Sequence, residues 1–224
     1  VTIIHAPRQG DRAHIITDAA WTDNATGCLT HIASKYIVGN AFPFIIAPTG
    51  NPNPFSLNAA IEAERPRNGR QLLEVLPKIL RQMDAESKIP LDAGFVIATW
   101  DKRAGRPMLH LIANTETHWP GVMPPFELYW IEHVIGGEVP VDEALGREVD
   151  MADRRSFDPM IDGAELVEVQ RRHHDFAHTG VKACRIGGAV EVATLTRRGV
   201  RIDRVREWPD RIGELIVPGV VEHA

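Results

Sequence analysis

Over the first fifty residues the apolar positions come in short runs separated by turn signals, which predicts strands. Residues 2–6 are rich in β-branched side chains, Gln9-Gly10-Asp11 reads as a turn, and residues 13–17 return as a second strand. Residues 36–38 and 42–47 form another pair around the turn dipeptide Gly39-Asn40. Runs such as "AHIIT" and "FPFIIA" are apolar at successive positions, as expected for sheets covered on both faces.

The stretch "PTGNPNPF" breaks this pattern and introduces helix. A short segment around Leu57 and Ile61 ends near "RPRNG". Beyond it, Leu72, Leu73, Leu76, Ile79, Leu80 and Met83 mark one face of a helix. Pro77 lies inside that stripe and is expected to kink or restart the helix, because it has no N–H to donate. Strands resume with "GFVIATW" and "MLHLIAN" around the turn "DKRAGRP"; residues 117–126, with three prolines, read as loop. "ELYWIEHVIGG" continues as strand, a helix is predicted over 164–178, and a long hairpin turns at Arg197-Arg198-Gly199. No repeat or linker interrupts the chain, so residues 1–224 read as a single domain. Strands, two helices, strands, helix, strands is the element order of an α/β (α+β) four-layer αββα sandwich, with two antiparallel sheets between helix layers.

Composition narrows the function classes. Of the 224 residues, 44% are hydrophobic and 25% charged, as in a globular protein with a sizeable core. A net charge of −5 with no clustered basic face gives no reason to expect nucleic acid. No apolar run approaches the ~20 residues of a membrane-spanning helix, and no basic-then-apolar leader is visible, so the expected location is the cytoplasm. Cys28 and Cys184 are too few for a disulfide framework or a cysteine metal site and are expected to be small buried hydrophobes.

A strand at the very start, followed by these landmarks in this order, resembles the N-terminal-nucleophile (Ntn) hydrolases, specifically proteasome β-type subunits. The resemblance runs from about Val1 to Asp210. "TIIHAPRQG" is similar to the family's first strand and turn, and "IITDAA" to its second strand, ending in Asp18. "SKYIVGNAFPFIIAPTGN" resembles the segment that carries the active-site lysine, here Lys35, and runs to the oxyanion glycine, here Gly50. "IGGAVEVATLTRRGV" resembles the family's late Gly-Gly hairpin.

The resemblance implies a peptide or amide hydrolase without a cofactor, forming homo-oligomers. A threonine at a chain start attacks the carbonyl while its own α-amine accepts the proton. A lysine ammonium lowers the proton affinity of that amine, an aspartate anchors the lysine, and a backbone N–H stabilises the oxyanion. Asp18 follows Thr2 by 16 residues and Lys35 follows Asp18 by 17, and both intervals match the family's within one residue. Two registers remain open. Anchored on Asp18, Thr2 is the nucleophile and requires loss of Val1, because an acylated nitrogen is no base. Anchored on Gly10, Val1 occupies the nucleophile's place. The family also carries an acid and a serine before the late glycine pair, where this chain has Ala183 and Ile186, and a Ser-Gly where this chain has Gly136-Gly137. A non-catalytic scaffold or assembly subunit of the same fold is therefore the alternative.

Two further features compete for a role. His174 and His178 are four apart on the predicted helix, with Asp175 beside His174, a spacing that can present two metal ligands. No glutamate lies between them and no third ligand is indicated; histidines near a helix C-terminus are also favoured by its dipole. The aromatic, proline-rich "THWPGVMPPFELYW" suits either a subunit contact or a cap on the core.

Overall fold

The computed structural model describes residues 3–51, 53–88, 91–118, 123–173 and 183–219. Strands β1 (Ile4–Gln9) and β2 (Arg12–Asp18) pair as an antiparallel hairpin at Gly10-Asp11, with Ile4 opposite Thr17 and Gln9 opposite Arg12. On the other side of β2 lies β11 (Ala189–Thr196), which pairs in turn with β12 (Gly199–Glu207). The second sheet is built from β5 (Ile37–Val38), β6 (Phe44–Gly50), β7 (Ala93–Asp101), β8 (Arg106–Ala113) and β9 (Tyr129–Ile131), in that order.

Alternation along β2 and β11 shows how the layers stack. Ala13 and Ile15, with Ala193 and Leu195, join the core shared with the second sheet. Ile16, with Val190 and Val192, joins a separate core on the opposite face. Helix α4 (Asp162–His173) covers that face through Leu166 and Val167. Helices α1 (Pro54–Glu64) and α2 (Gly69–Glu86) cover the far side of the second sheet, where Gly69 packs so closely on Thr99 that a Cβ would lie 2.8 Å from its side chain. The order helix, sheet, sheet, helix is the sandwich expected from the sequence.

Both helices of the first pair start where the sequence breaks. Asn53 caps α1 by accepting from the Ser56 N–H at 3.1 Å, with Pro54 in the first turn, where a missing N–H costs nothing. Asn68 caps α2 in the same way, accepting from Gln71 N–H at 3.0 Å. Helix α2 runs on through Pro77 without ending or restarting there. Leu72, Leu76, Ile79 and Leu80, all buried on one face, hold it against β7 and override the lost hydrogen bond.

Other elements were not visible in the pattern. A two-stranded unit, β3 (Ala20–Thr22) with β4 (Leu29–Ile32), follows β2, and Trp21 stacks on His31 at 5.3 Å. A short helix α3 (Val141–Leu145) lies in the acidic segment. The continuous strand expected in "ELYWIEHVIGG" is divided: β9 pairs with β8, whereas β10 (His133–Val134) pairs with β1 in the other sheet. The chain passes from one sheet to the other at Glu132. Cys184 is buried, as expected, and burial pushes its thiol up to about 11, but Cys28 is only half-buried. Both are free thiols.

Candidate active site

Asp18 is the last residue of β2 and is fully buried. Its Oδ1 accepts a hydrogen bond from Lys35 Nζ at 2.9 Å, and the lysine side chain is only 2% exposed. Its Oδ2 accepts from two backbone amides, Ala20 N–H at 3.1 Å and Gly187 N–H at 3.3 Å. Gly187 opens the Gly-Gly turn that leads into β11, so the landmark read from "IGGAVEV" lies directly against the aspartate. Ala20 is also paired with Ile32 in the β3–β4 unit, which fixes the far side of the carboxylate.

Lys35 lies outside regular strand, between β4 and β5. Its neighbour Tyr36 anchors it: the hydroxyl lies 2.8 Å from the Ile15 carbonyl oxygen and 2.7 Å from that of Glu191, bridging β2 and β11. Burial pushes the Lys35 ammonium below the ordinary lysine range, and the Asp18 carboxylate opposes that shift, with a smaller contribution from Glu191. Glu191 is itself buried and accepts at Oε1 from Arg204 Nη2 at 3.0 Å. The ammonium therefore sits out of solvent, paired directly with one carboxylate, where charge interactions are stronger than in water.

Gly50 ends β6 with φ +87°, a conformation that favours glycine. A Cβ there would lie 2.0 Å from the Asp92 carbonyl oxygen and 2.8 Å from His118 Cε1. Asp92 is held to the next residue on both sides: Asn51 N–H donates to its carbonyl at 2.7 Å and its own N–H donates to Asn51 Oδ1 at 2.7 Å. The Asp92 carboxylate faces His118 Nε2 at 3.1 Å and accepts from Thr117 Oγ1 at 2.9 Å. This Asp–His pair against Gly50 has no periodic or motif signal in the sequence.

Thr2, the candidate nucleophile, lies outside the described residues, as do His174, Asp175 and His178 of the metal reading. Among the described residues no group of three or more His, Cys, Asp or Glu is arranged to hold a metal ion. Ala183 and Ile186, which stand where the resemblance has an acid and a serine, are buried, and Ile186 packs in the core beneath α4. Gly136 sits against the Ile4 backbone, where a Cβ would be 2.5 Å from the Ile4 carbonyl oxygen. Of the aromatic segment, Tyr129 and Trp130 stand exposed on β9, the last strand of its sheet. No described helix is long and apolar enough to cross a membrane.

No protein-family model matches the chain, and no curated protein matches it. Among solved structures it is similar to the Anbu (Gly-1) mutant from Hyphomicrobium sp. strain MC1, with a TM-score of 0.65 over 92% of this chain and 88% of that one. Sequence identity is 12%, so the likeness concerns the fold alone. What the two share is the layered arrangement described above, two antiparallel sheets between helix layers.

Proposed function

We propose that this chain hydrolyses peptide or amide bonds, with Thr2 as nucleophile once Val1 is removed. The observation that carries the reading is the buried Lys35–Asp18 pair, closed at 2.9 Å and braced by two amides on the second carboxylate oxygen. In this mechanism the Thr2 oxygen bonds to the substrate carbonyl carbon and its proton passes to the freed α-amine. The Lys35 charge keeps that amine unprotonated beforehand by like-charge repulsion, and Asp18 holds the lysine in place. The Gly50 N–H stabilises the oxyanion. The amine then returns the proton to the departing nitrogen as the C–N bond breaks, and water hydrolyses the acyl-threonine. The proposed working form is a homo-oligomer in the cytoplasm, without cofactor, nucleic acid or membrane.

A second reading, a non-catalytic scaffold or assembly subunit of the same fold, is favoured by the apolar, buried Ala183 and Ile186. Intact mass and N-terminal sequencing of protein from its native host separate the two. Chains beginning at Thr2 that are labelled there by a hydroxyl-directed electrophile support hydrolysis. Val1 retained in every molecule overturns it in favour of the scaffold.

A further inference from the structure

We propose that Arg171 and Asp210 are positioning residues for the Asp18–Lys35 pair and act through the Gly187-Gly188 turn. The inference rests on the functional reading of that pair given above. Arg171, on α4, is 3% exposed, and its guanidinium grips Asp210 with two hydrogen bonds of 2.7 Å. The same Nη1 donates to the Ile186 carbonyl at 2.9 Å. Asp210 Oδ2 also accepts the Gly188 N–H at 2.8 Å, while the preceding amide, Gly187 N–H, donates to Asp18. Two carboxylates thus hold adjacent amides of one turn: one belongs to the candidate site and the other to the buried Arg–Asp pair.

There is no slack in this arrangement. A Cβ on Gly187 would lie 2.5 Å from Asp210 Oδ2 and 2.8 Å from Arg171 Nη1, so the turn rests directly on the ion pair. Arg171 is stacked on Trp208 at 4.5 Å, and Trp208 Nε1 donates to Glu168 Oε2 at 2.6 Å, back on α4. Trp208 N–H in turn donates to the Gly188 carbonyl at 3.0 Å. A buried ion pair is a poor source of net stability, because desolvation offsets its attraction, but it fixes geometry well. Here it fixes the turn, and Ala183 and Ile186 just before it bring no polar side chain to that task. Ile186 contributes its carbonyl alone, and Arg171 takes it.

Titration of Lys35 in the full chain by NMR of ¹³Cε-labelled lysine tests this without needing turnover, with the Lys35→Ala spectrum assigning the resonance. Asp210→Asn and Arg171→Leu are expected to lower the Lys35 midpoint by about 0.5 unit or more, roughly threefold in proton affinity, because the Asp18 carboxylate, no longer fixed by the Gly187 amide, moves off the ammonium. Arg171→Lys, which keeps the charge and loses the fork, is expected to fall between these and the native chain and serves where the harsher variants do not fold. Leu76→Ala, which opens a cavity in α2 far from the turn, is expected to destabilise the protein and leave the midpoint in place. Midpoints of all folded Arg171 and Asp210 variants coinciding with the native value would overturn the proposal. A failed hydrolase reading shows instead as retained Val1 and absent labelling, whatever the titration gives.

Discussion

Lys35 and Asp18, 17 residues apart in sequence, meet at 2.9 Å with both side chains out of solvent. Removing one partner leaves the other charge buried and unpaired, so Lys35→Met is expected to cost about 3–5 kcal/mol. The double variant Lys35→Met/Asp18→Asn is expected to recover most of that loss while remaining inactive. Urea denaturation reads the first effect and labelling of the N-terminal residue the second. A double variant as unstable as the single one would show that the pair is not the source of the cost.

Gly50 has no room for a side chain. Gly50→Ala combines a strained φ with a Cβ 2.0 Å from the Asp92 carbonyl oxygen. A loss of about 2–5 kcal/mol is expected. Gly105, which has φ +64° but nothing within 4 Å of its Cβ position, is the matched control, and Gly105→Ala should cost less. Thermal or denaturant unfolding of the two variants checks the difference.

Acid should weaken the fold well above the carboxylate range. Burial pushes His5 and His110 down to about 4; it does the same to His14, aided by the Arg12 and Arg154 charges and opposed by Asp158. Each folded value lies below the unfolded one of 6.5, so between pH 6.5 and 4 the unfolded chain binds more protons than the native one. Stability is therefore fully present above pH 6.5 and is lost as pH falls toward 4, by about 1.4 kcal/mol per pH unit for each proton taken up. His5, fully buried on β1 with neither ring nitrogen partnered among the described residues, is the cleanest probe. His5→Leu should shallow the slope by about one proton, as read from denaturant curves at pH 7, 6 and 5.

Tyr36→Phe removes only the hydroxyl that bridges the Ile15 and Glu191 carbonyls. A cost of about 1–2 kcal/mol is expected, the range for a buried hydrogen bond lost without replacement. Hydrogen exchange should quicken first in β5 and β6, where Tyr36 ties the second sheet to the first. Uniform quickening across both sheets would contradict a local tether.

The sandwich could be read from the sequence because its sheets are apolar on both faces, and "AHIIT" sends Ile15 and Ile16 into different cores. Asp18 and Lys35 were singled out through the resemblance of the segments that carry them, and the fold brings the two side chains to 2.9 Å. The β3–β4 unit was not legible, because strands of three and four half-exposed residues carry no period. The division of "YWIEHV" between two sheets was hidden too, as one intervening residue leaves no turn signal. Nothing in the sequence pattern marks Arg171 and Asp210 as a pair; they come together, out of solvent, only when α4 meets the segment after β12. His118 and Asp92 come together only when β6, β7 and the segment after β8 are assembled.

The passage of the chain from β9 to β10 at Glu132 binds the two sheets along one margin, like pages at a spine. Any widening between them is therefore expected to be smallest at Glu132 and largest at the opposite edges, β5 and β12. The Lys35 ammonium and the Tyr36 hydroxyl cross the gap beside β5, on the side that would open furthest. They act as the clasp of the book as well as part of its candidate site, so a change that loosens the pair also frees the sheets to part.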